Sequence, residues 1–596
     1  MNKKDWINIW LLIKDTYSKD KKRIVSMIVM SITKIISIYI GIFLLGNIVD
    51  CLYIGYSLEY FVQNVLLVFV IQYFCVVLSK LAQKYYDTKL DYSKDIETKY
   101  MNQKAMEFDY EYLEDSKISD LRYRSFGQSY YGITGWCLIN VNNLLQGIFS
   151  IIITIILICP RLFTSTRFDG ILGSQILSVV ALLSVIVLTL INYKIGIHYT
   201  QLAKNEINSA ESIYNRKQFY MNKFFDTECQ KDIRLSKLQN IVLYDVKKMY
   251  NKLSDVEYRH GNLYLKRERF GGVLTGFNCI LVYTVVGIRA VLGLLTAGNA
   301  IIVASSILQF SNQMLAFAST LGNMKSAALF AQDYFDFMNI ENKKSVLTTN
   351  DNEHTRANNE IEFINVSFKY PNSNDYVLKN VNVTFECNKK IAIVGENGSG
   401  KTTLLKLLCG FYNDYEGEIY FNGTNFKEIE KKLLHERIAA VFQDFNILAF
   451  SIKDNFENNS EDEIQDALKE AGIKVASIDD NISKSIYFDG INFSGGEQQK
   501  IAIARAIAKD AEIVVMDEPT AALDPIAENE VFRGFDRLIK NCGGIFISHR
   551  LSSCKFCQKI IVMKQGNIVQ VGNHNQLIKE NGDYQLLWEA QKECYE

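Results

Sequence analysis

Five stretches in the first 324 residues contain no charged side chain: 61–79, 132–159, 171–193, 270–288 and 290–324. Each is long enough, or nearly so, to cross the ~30 Å hydrocarbon core of a bilayer as a helix of about 20 residues. Residues 24–49 make a sixth stretch, interrupted only by Lys34. The N-terminal half therefore reads as a six-helix membrane domain. An even number of spans puts both termini on the same side.

Charge placement orients that domain. Lys14, Lys19, Lys21, Lys22 and Arg23 cluster just before the first span, and the loop after it, 50–60, holds no Lys or Arg. By the positive-inside rule both termini stay in the cytoplasm. Arg161 and Arg167 in the next outside loop run against the rule, but that loop is short. The first apolar patch, residues 6–13, is too short for a cleavable signal and is followed by charges, so 1–23 reads as an amphipathic helix on the inner membrane surface. Outside connections are short. Inside ones, 80–124 and 194–269, are long, charged and free of proline, as expected of spans continuing as helices into the cytoplasm. The expected organisation is an elbow helix (1–23), a transmembrane domain (24–340), a polar linker (341–359) and a soluble domain (360–596).

Composition narrows the function classes. A net charge of −1 provides no basic field for nucleic acid. The 12 cysteines are scattered, and the pair Cys554/Cys557 lacks the second pair a zinc site needs. In the soluble domain strand and helix patterns alternate, which predicts an α/β fold with a largely parallel core.

Gly395-Glu396-Asn397-Gly398-Ser399-Gly400-Lys401-Thr402 matches GxxxxGK[ST] in full. An apolar run, 391–394, precedes it and a helical run, 403–409, follows. Backbone N–H groups of such a loop curl around phosphate oxygens, and the helix N-terminus adds a favourable dipole. Lys401 supplies a point charge for the outer phosphates and Thr402 a hydroxyl for Mg2+. The apolar strand 513–516 ends in Asp517 and Glu518. There Asp517 can hold the metal ion, and Glu518 can polarise the attacking water. Ser494-Gly495-Gly496-Glu497 opens another helical run and reads either as a plain N-cap or as a second phosphate cradle. Two cradles on one nucleotide make sense if two domains face each other.

These motifs resemble, in order, those of ATP-binding cassette (ABC) proteins, and the resemblance covers the soluble domain. Tyr370 is similar to the aromatic that stacks on adenine, and 395–402 to the Walker A loop. Gln443 corresponds to the Q-loop glutamine, and Phe493–Glu497 lies where the family carries LSGGQ. Asp517 and Glu518 resemble Walker B and the catalytic base, Asp524 the D-loop aspartate, and His549 the switch histidine. The resemblance implies nucleotide binding by Tyr370, Gly395, Asn397, Gly398, Ser399, Gly400, Lys401, Thr402 and Thr403, completed by Ser494, Gly495 and Gly496 of a second subunit. It implies Mg2+ at Thr402, Gln443 and Asp517, and catalysis by Glu518 and His549 with Lys401, Gln443 and Asp524.

With six spans, one soluble domain and long inside loops, the chain is similar to exporter-type (type IV) half-transporters of the bacterial cytoplasmic membrane. Residues 451–455, 231–235 and the tail 572–591 resemble segments of that branch, and 110–115 its first coupling helix. The implied activity is ATP-driven export by a dimer, with membrane lipids around it. A peptide or an amphipathic compound is the expected substrate. An ATP-gated or regulatory subunit and an exporter-fold importer are the alternatives. Phe493 and Glu497 replace the usual Leu and Gln, and Tyr487-Phe488 stand where a Gly-Glu pair is common. The variant signature leans toward a heterodimer. The polar residues Asn140, Asn142, Asn143, Gln146, Asn278, Gln309, Asn312 and Gln313 face either a cavity or neighbouring helices.

Overall fold

The computed structural model describes the chain except for residues 1–2, 55–56, 126–129, 163–174, most positions between 211 and 225, 343–359, 457–458, 485, 519–541, 549–550, 556 and 594–596. The chain divides into two compact units. The first holds Met1–Lys104 and Asp120–Asn339. The second holds Ala105–Ser119 and Ile340–Glu596.

The N-terminal helices run α1 (Lys3–Lys19), α2 (Lys21–Ile54), α3 (Leu58–Asp91), α4 (Ser93–Glu107), α5 (Tyr110–Glu114), α6 (Ser116–Ser125), α7 (Gly132–Leu162), α8 (Gln175–Ser209), α9 (Thr227–Leu235), α10 (Gln239–Val291) and α11 (Ala297–Met338). Among the described residues, α2, α3, α7 and α10 are long and apolar enough to cross a membrane. The other two long helices, α8 and α11, coincide with the remaining two expected spans. Leu66, Leu67, Val70, Tyr73 and Phe74 of α3 are exposed. In water that apolar row would be a liability, whereas in hydrocarbon it is solvated. The chain breaks between the last two spans at 292–296, just after α10 ends, where Gly293 takes φ +72°.

Local chemistry sets the helix ends in this unit. Asp20 accepts the Arg23 N–H and starts α2. Glu97 of α4 accepts the backbone N–H groups of Ile133 (2.9 Å) and Thr134 (2.5 Å) and so caps α7. At α11 Thr296 is the local cap, its Oγ1 accepting the Asn299 N–H at 3.2 Å, and a distant helix reinforces it. Asp50 of α2 accepts the Gly298 N–H and the Thr296 hydroxyl, both at 2.7 Å. The two helices approach so closely there that a Cβ on Gly298 would lie 2.0 Å from the Gly46 carbonyl oxygen. Two of the polar span residues bond to neighbouring helices. Asn142 accepts from Ser31 at 2.5 Å, and Asn278 donates to Ser311 at 2.8 Å. Asn140 donates to the Trp136 carbonyl of its own helix.

In the second unit the strands are β1 (Glu360–Phe368), β2 (Leu378–Glu386), β3 (Lys390–Gly395), β4 (Glu416–Phe421), β5 (Thr424–Asn425), β6 (Ile438–Val441), β7 (Ile513–Asp517), β8 (Gly543–Ile547), β9 (Lys559–Lys564) and β10 (Asn567–Gly572). Its main helices are α12 (Lys401–Leu408), α13 (Lys431–Arg437), α14 (Glu461–Glu470) and α15 (Gly495–Ala508). One sheet is antiparallel, in the order β2-β1-β4-β5. The other runs β10-β9-β3-β8-β7-β6, parallel except for β10.

Alternate residues of the parallel strands feed two cores, because successive side chains of a strand point to opposite faces. Val394, Val441, Val514, Met516 and Phe546 pack with α14 and α15. Ile391, Ile393, Val515, Ile545 and Ile547 pack with α12 and the antiparallel sheet. A sheet covered on both faces needs continuous apolar strands, and β7 is buried along its whole length.

Candidate nucleotide site

Parallel strands with the same direction deliver their C-terminal ends to one edge, where ligands of open α/β sheets bind. Here β3 ends in the glycine loop, β7 in Asp517 and Glu518, and β6 two residues before Gln443. Gly395, Gly398 and Gly400 take φ of +151°, +77° and +100°. The loop then passes directly into α12, so its amides converge at a helix N-terminus.

Lys401 is buried, and its ammonium donates to the loop carbonyls of Gly395 and Glu396, both at 2.9 Å. Burial lowers its pKa, and the nearby Glu518 and Asp517 oppose the shift without cancelling it. Asp517 is 2% exposed, and burial raises its carboxyl against the Thr402 hydroxyl beside it. Two buried oxygens at this edge, Ser399 Oγ and Asp517 Oδ1, have no hydrogen-bond partner among the described residues. Buried polar atoms are rarely left so. A metal–phosphate group is what this donor and acceptor set fits: an ammonium, a hydroxyl and a carboxylate around amides.

Glu518 adopts φ +51°, and its carboxylate accepts from Gln443 Nε2 at 3.2 Å. The structure thus brings Lys401, Thr402, Asp517, Glu518 and Gln443 to one edge. Tyr370 follows β1 and is tied to the same helix, since its hydroxyl lies 2.9 Å from Thr403 Oγ1. Asn397 and Gly398 are exposed in the loop. Asp524 and His549 lie outside the described residues.

Ser494 caps α15. Its hydroxyl and N–H both donate to Glu497 Oε2 at 2.8 Å, and Gly495 and Gly496 form the first helical turn. Those bonds hold the Glu497 carboxyl below its usual range. Ser494 makes its hydrogen bonds within this turn, not to the chain's own phosphate loop.

The sequence marks the segment 110–115, but not its partners in the second unit. Tyr110 stacks on Phe411 at 4.7 Å and meets Tyr412 edge-on at 5.9 Å. Glu114 accepts from Lys406 (3.1 Å) and from the Tyr412 hydroxyl. Asp109 pairs with Lys431 at 2.9 Å, and Asn372 donates to Asp115 at 3.0 Å. No motif marks Asn372, Lys406, Phe411, Tyr412 or Lys431 as its partners, and the two ends of the Lys406 bond are 292 positions apart.

Residues 378–521 match the family model for ABC transporters. They are an ABC transporter domain. The ABC domain spans the phosphate loop, the serine–glycine turn and the two acids, and a domain of this family binds ATP. Over 391 residues the chain is 32% identical to the subtilin transport ATP-binding protein of Bacillus subtilis, covering 63% of each chain. It is 33% identical to the nisin transport ATP-binding protein of Lactococcus lactis subsp. lactis, covering 54% of this chain and 55% of that one. The ATP-dependent lipid A-core flippase of Pectobacterium atrosepticum is 32% identical over 51% and 53% of the two chains. The chain thus matches between about half and two thirds of the length of these relatives. A bacterial Atm1-family ABC exporter solved with ATP bound superimposes with a TM-score of 0.70 at 19% identity, over 96% of this chain and 98% of that one. The fold around the ABC domain is that of an exporter, with membrane-type helices preceding it.

Proposed function

We propose that the chain is one half of an ATP-driven exporter and works as a dimer in a cell membrane. Support comes chiefly from the edge where Lys401, Thr402, Asp517, Glu518 and Gln443 converge, in a chain that also carries long apolar helices. Thr402, Gln443 and Asp517 would hold Mg2+, which when bound supplies positive charge to the phosphates. Lys401 leaves its loop carbonyls for the outer phosphates. Glu518 orients and deprotonates the attacking water, and His549 contacts the γ-phosphate. Ser494, Gly495 and Gly496 close the site of a partner subunit, so two nucleotides lie between two domains. Asp524 contributes to catalysis, and Tyr370 stacks on the base. Closure and hydrolysis alternate the opening of the membrane helices.

The substrate is a peptide or another amphipathic compound. The relatives named for subtilin and nisin transport favour the peptide. The variant residues Phe493 and Glu497 favour a heterodimer with a second chain of this kind.

Replacing Glu518 by Gln should nearly abolish ATP turnover of the reconstituted protein and retain ATP binding. Inside-out vesicles containing the wild type should accumulate substrate with ATP. Turnover undiminished in the variant would overturn the assignment of the base. Binding and hydrolysis without accumulation would favour a regulatory subunit.

A further inference from the structure

The pair Cys554/Cys557 has no part in the nucleotide chemistry, yet the fold gives it a defined setting. Cys554 ends a short helix, α16 (Leu551–Cys554), and the Cys557 N–H donates to the Cys554 carbonyl at 3.1 Å. A turn closed in this way holds its end Cα atoms less than about 7 Å apart, the spacing a disulfide spans. Both residues stand as thiols, 0% and 6% exposed, in the core cluster that also holds Tyr584. The Tyr584 hydroxyl lies within electrostatic reach of both thiols.

Two more helices complete the setting, α17 (His574–Leu577) and α18 (Asp583–Glu593). Tyr584 belongs to α18, which covers the pair and is held by a few polar pins. Its hydroxyl lies 2.8 Å from His574 Nδ1. Gln591 Oε1 accepts the Leu551 N–H at 2.9 Å. The Trp588 ring centroid lies 4.7 Å from that of His574 and 4.7 Å from the Lys555 ammonium. Among the described residues no third thiol, imidazole or carboxylate completes a metal site with the pair. Reversible oxidation is the chemistry that two thiols at this spacing fit.

We propose that Cys554 and Cys557 form a thiol–disulfide site, oxidised by a low-molecular-weight disulfide when α18 lifts, and that the bond weakens the seat of that helix. One thiol loses its proton to solvent, and its thiolate attacks a sulfur of the reagent R–S–S–R. A mixed disulfide forms, and the RS⁻ released takes up a proton. The second thiol ionises in turn and attacks the protein sulfur of the mixed disulfide. This closes the Cys554–Cys557 bond and expels a second RS⁻, which is also protonated. Two electrons pass from the pair to the reagent, and two molecules of RSH leave.

The seated helix keeps this chemistry shut off, because buried thiols in apolar surroundings are inert. Once formed, the bond draws the sulfurs to about 2.05 Å of one another and away from Tyr584, leaving a gap beneath the ring. In the cytosol, where ATP is supplied, such bonds are transient and redox-sensing.

The test uses the full-length protein with oxidised glutathione as the reagent. Cys594, which lies outside the described residues, is replaced by Ser throughout. The peptide bearing both cysteines should become lighter by two hydrogens, and dithiothreitol should restore it. Amides of 583–593 should exchange about fivefold faster in the oxidised protein than in the reduced one. Trp588→Ala removes two of the pins and should speed oxidation about fivefold without changing the product. Cys557→Ala cannot close the bond, so it should lose both the mass change and the response of 583–593. Should that variant fail to fold, the comparison of oxidised with reduced protein decides alone.

Two thiols still open to alkylation after long exposure to the reagent would overturn the proposal. So would a stable glutathione adduct in place of the internal bond. Unchanged exchange across 583–593 in the oxidised protein would overturn the link to the helix. Oxidation no faster in Trp588→Ala would overturn the helix as its gate. None of these readouts depends on transport, so the export reading stands or falls separately.

Discussion

Ala replacements at two glycines of the phosphate loop should differ in a way the backbone dictates. Gly400 sits at φ +100°, a conformation costing an L-residue about 1–2 kcal/mol. A Cβ there would also lie 2.9 Å from Leu378 Cδ2 and 3.2 Å from the Val377 carbonyl oxygen. Leu378 is fully buried, so it yields only by displacing core neighbours, and overpacking of this kind costs about 1–3 kcal/mol. Gly400→Ala should therefore cost about 2–5 kcal/mol locally. Gly398 has φ +77°, but a Cβ there meets nothing within 4 Å. Its replacement carries the backbone cost alone, about 1–2 kcal/mol.

Native-state amide exchange over β3 and α12 reads both local opening energies in the full-length protein. ATP affinity should fall in both variants, and further in Gly400→Ala. Equal destabilisation, or a larger loss at Gly398, would refute the steric argument and leave backbone strain as the sole determinant.

Three further outcomes are expected. Asp50→Ala removes the acceptor for the Gly298 N–H and the Thr296 hydroxyl, a cap worth about 1 kcal/mol, and exchange in the first turn of α11 should quicken about fivefold. Glu497→Gln removes a negative charge from the turn proposed to meet phosphate. The KM for ATP should fall about two- to fivefold by the helix-end electrostatics, and a rise would contradict the arrangement. Docking of 105–119 should be acid-labile. Because Glu114 is held below its ordinary pKa, its contribution is complete above the unfolded value near 4.3 and is lost as pH falls through the lowered one. Exchange of those amides, corrected for the intrinsic rate, should stay slow at pH 5 and accelerate only at about pH 4 and below.

What could be read from sequence was mostly local. The phosphate loop declares itself because eight consecutive residues build it, and β3 and α12 flank it where the apolar runs place them. The turn at Ser494 is equally legible, since S-x-x-E is the pattern of a capping box and both reciprocal bonds form. Apolar run lengths gave the helical membrane domain.

Partners across long separations were not legible. Asn142 and Asn278 looked equally suited to a cavity or to a helix contact, and only the positions of Ser31 and Ser311 decide between them. Nothing local tells Asp50 that it will cap a helix beginning near residue 297. Lys406 reads as one more charge on an amphipathic helix until Glu114 is brought beside it.

The division of the chain also bears on how independent its ATP-binding part is. A fragment beginning at residue 360 would hold every strand of both sheets, yet it would lack 105–119. Phe411 and Tyr412 would lose the Tyr110 ring that covers them, and Lys406 and Lys431 would lose Glu114 and Asp109. An aromatic patch ringed by stranded cations favours self-association and misplaced ligand contacts. The nucleotide domain is therefore not a self-sufficient module. Part of its surface is encoded some 250 residues upstream, so exchanging it between relatives would require exchanging that short segment with it.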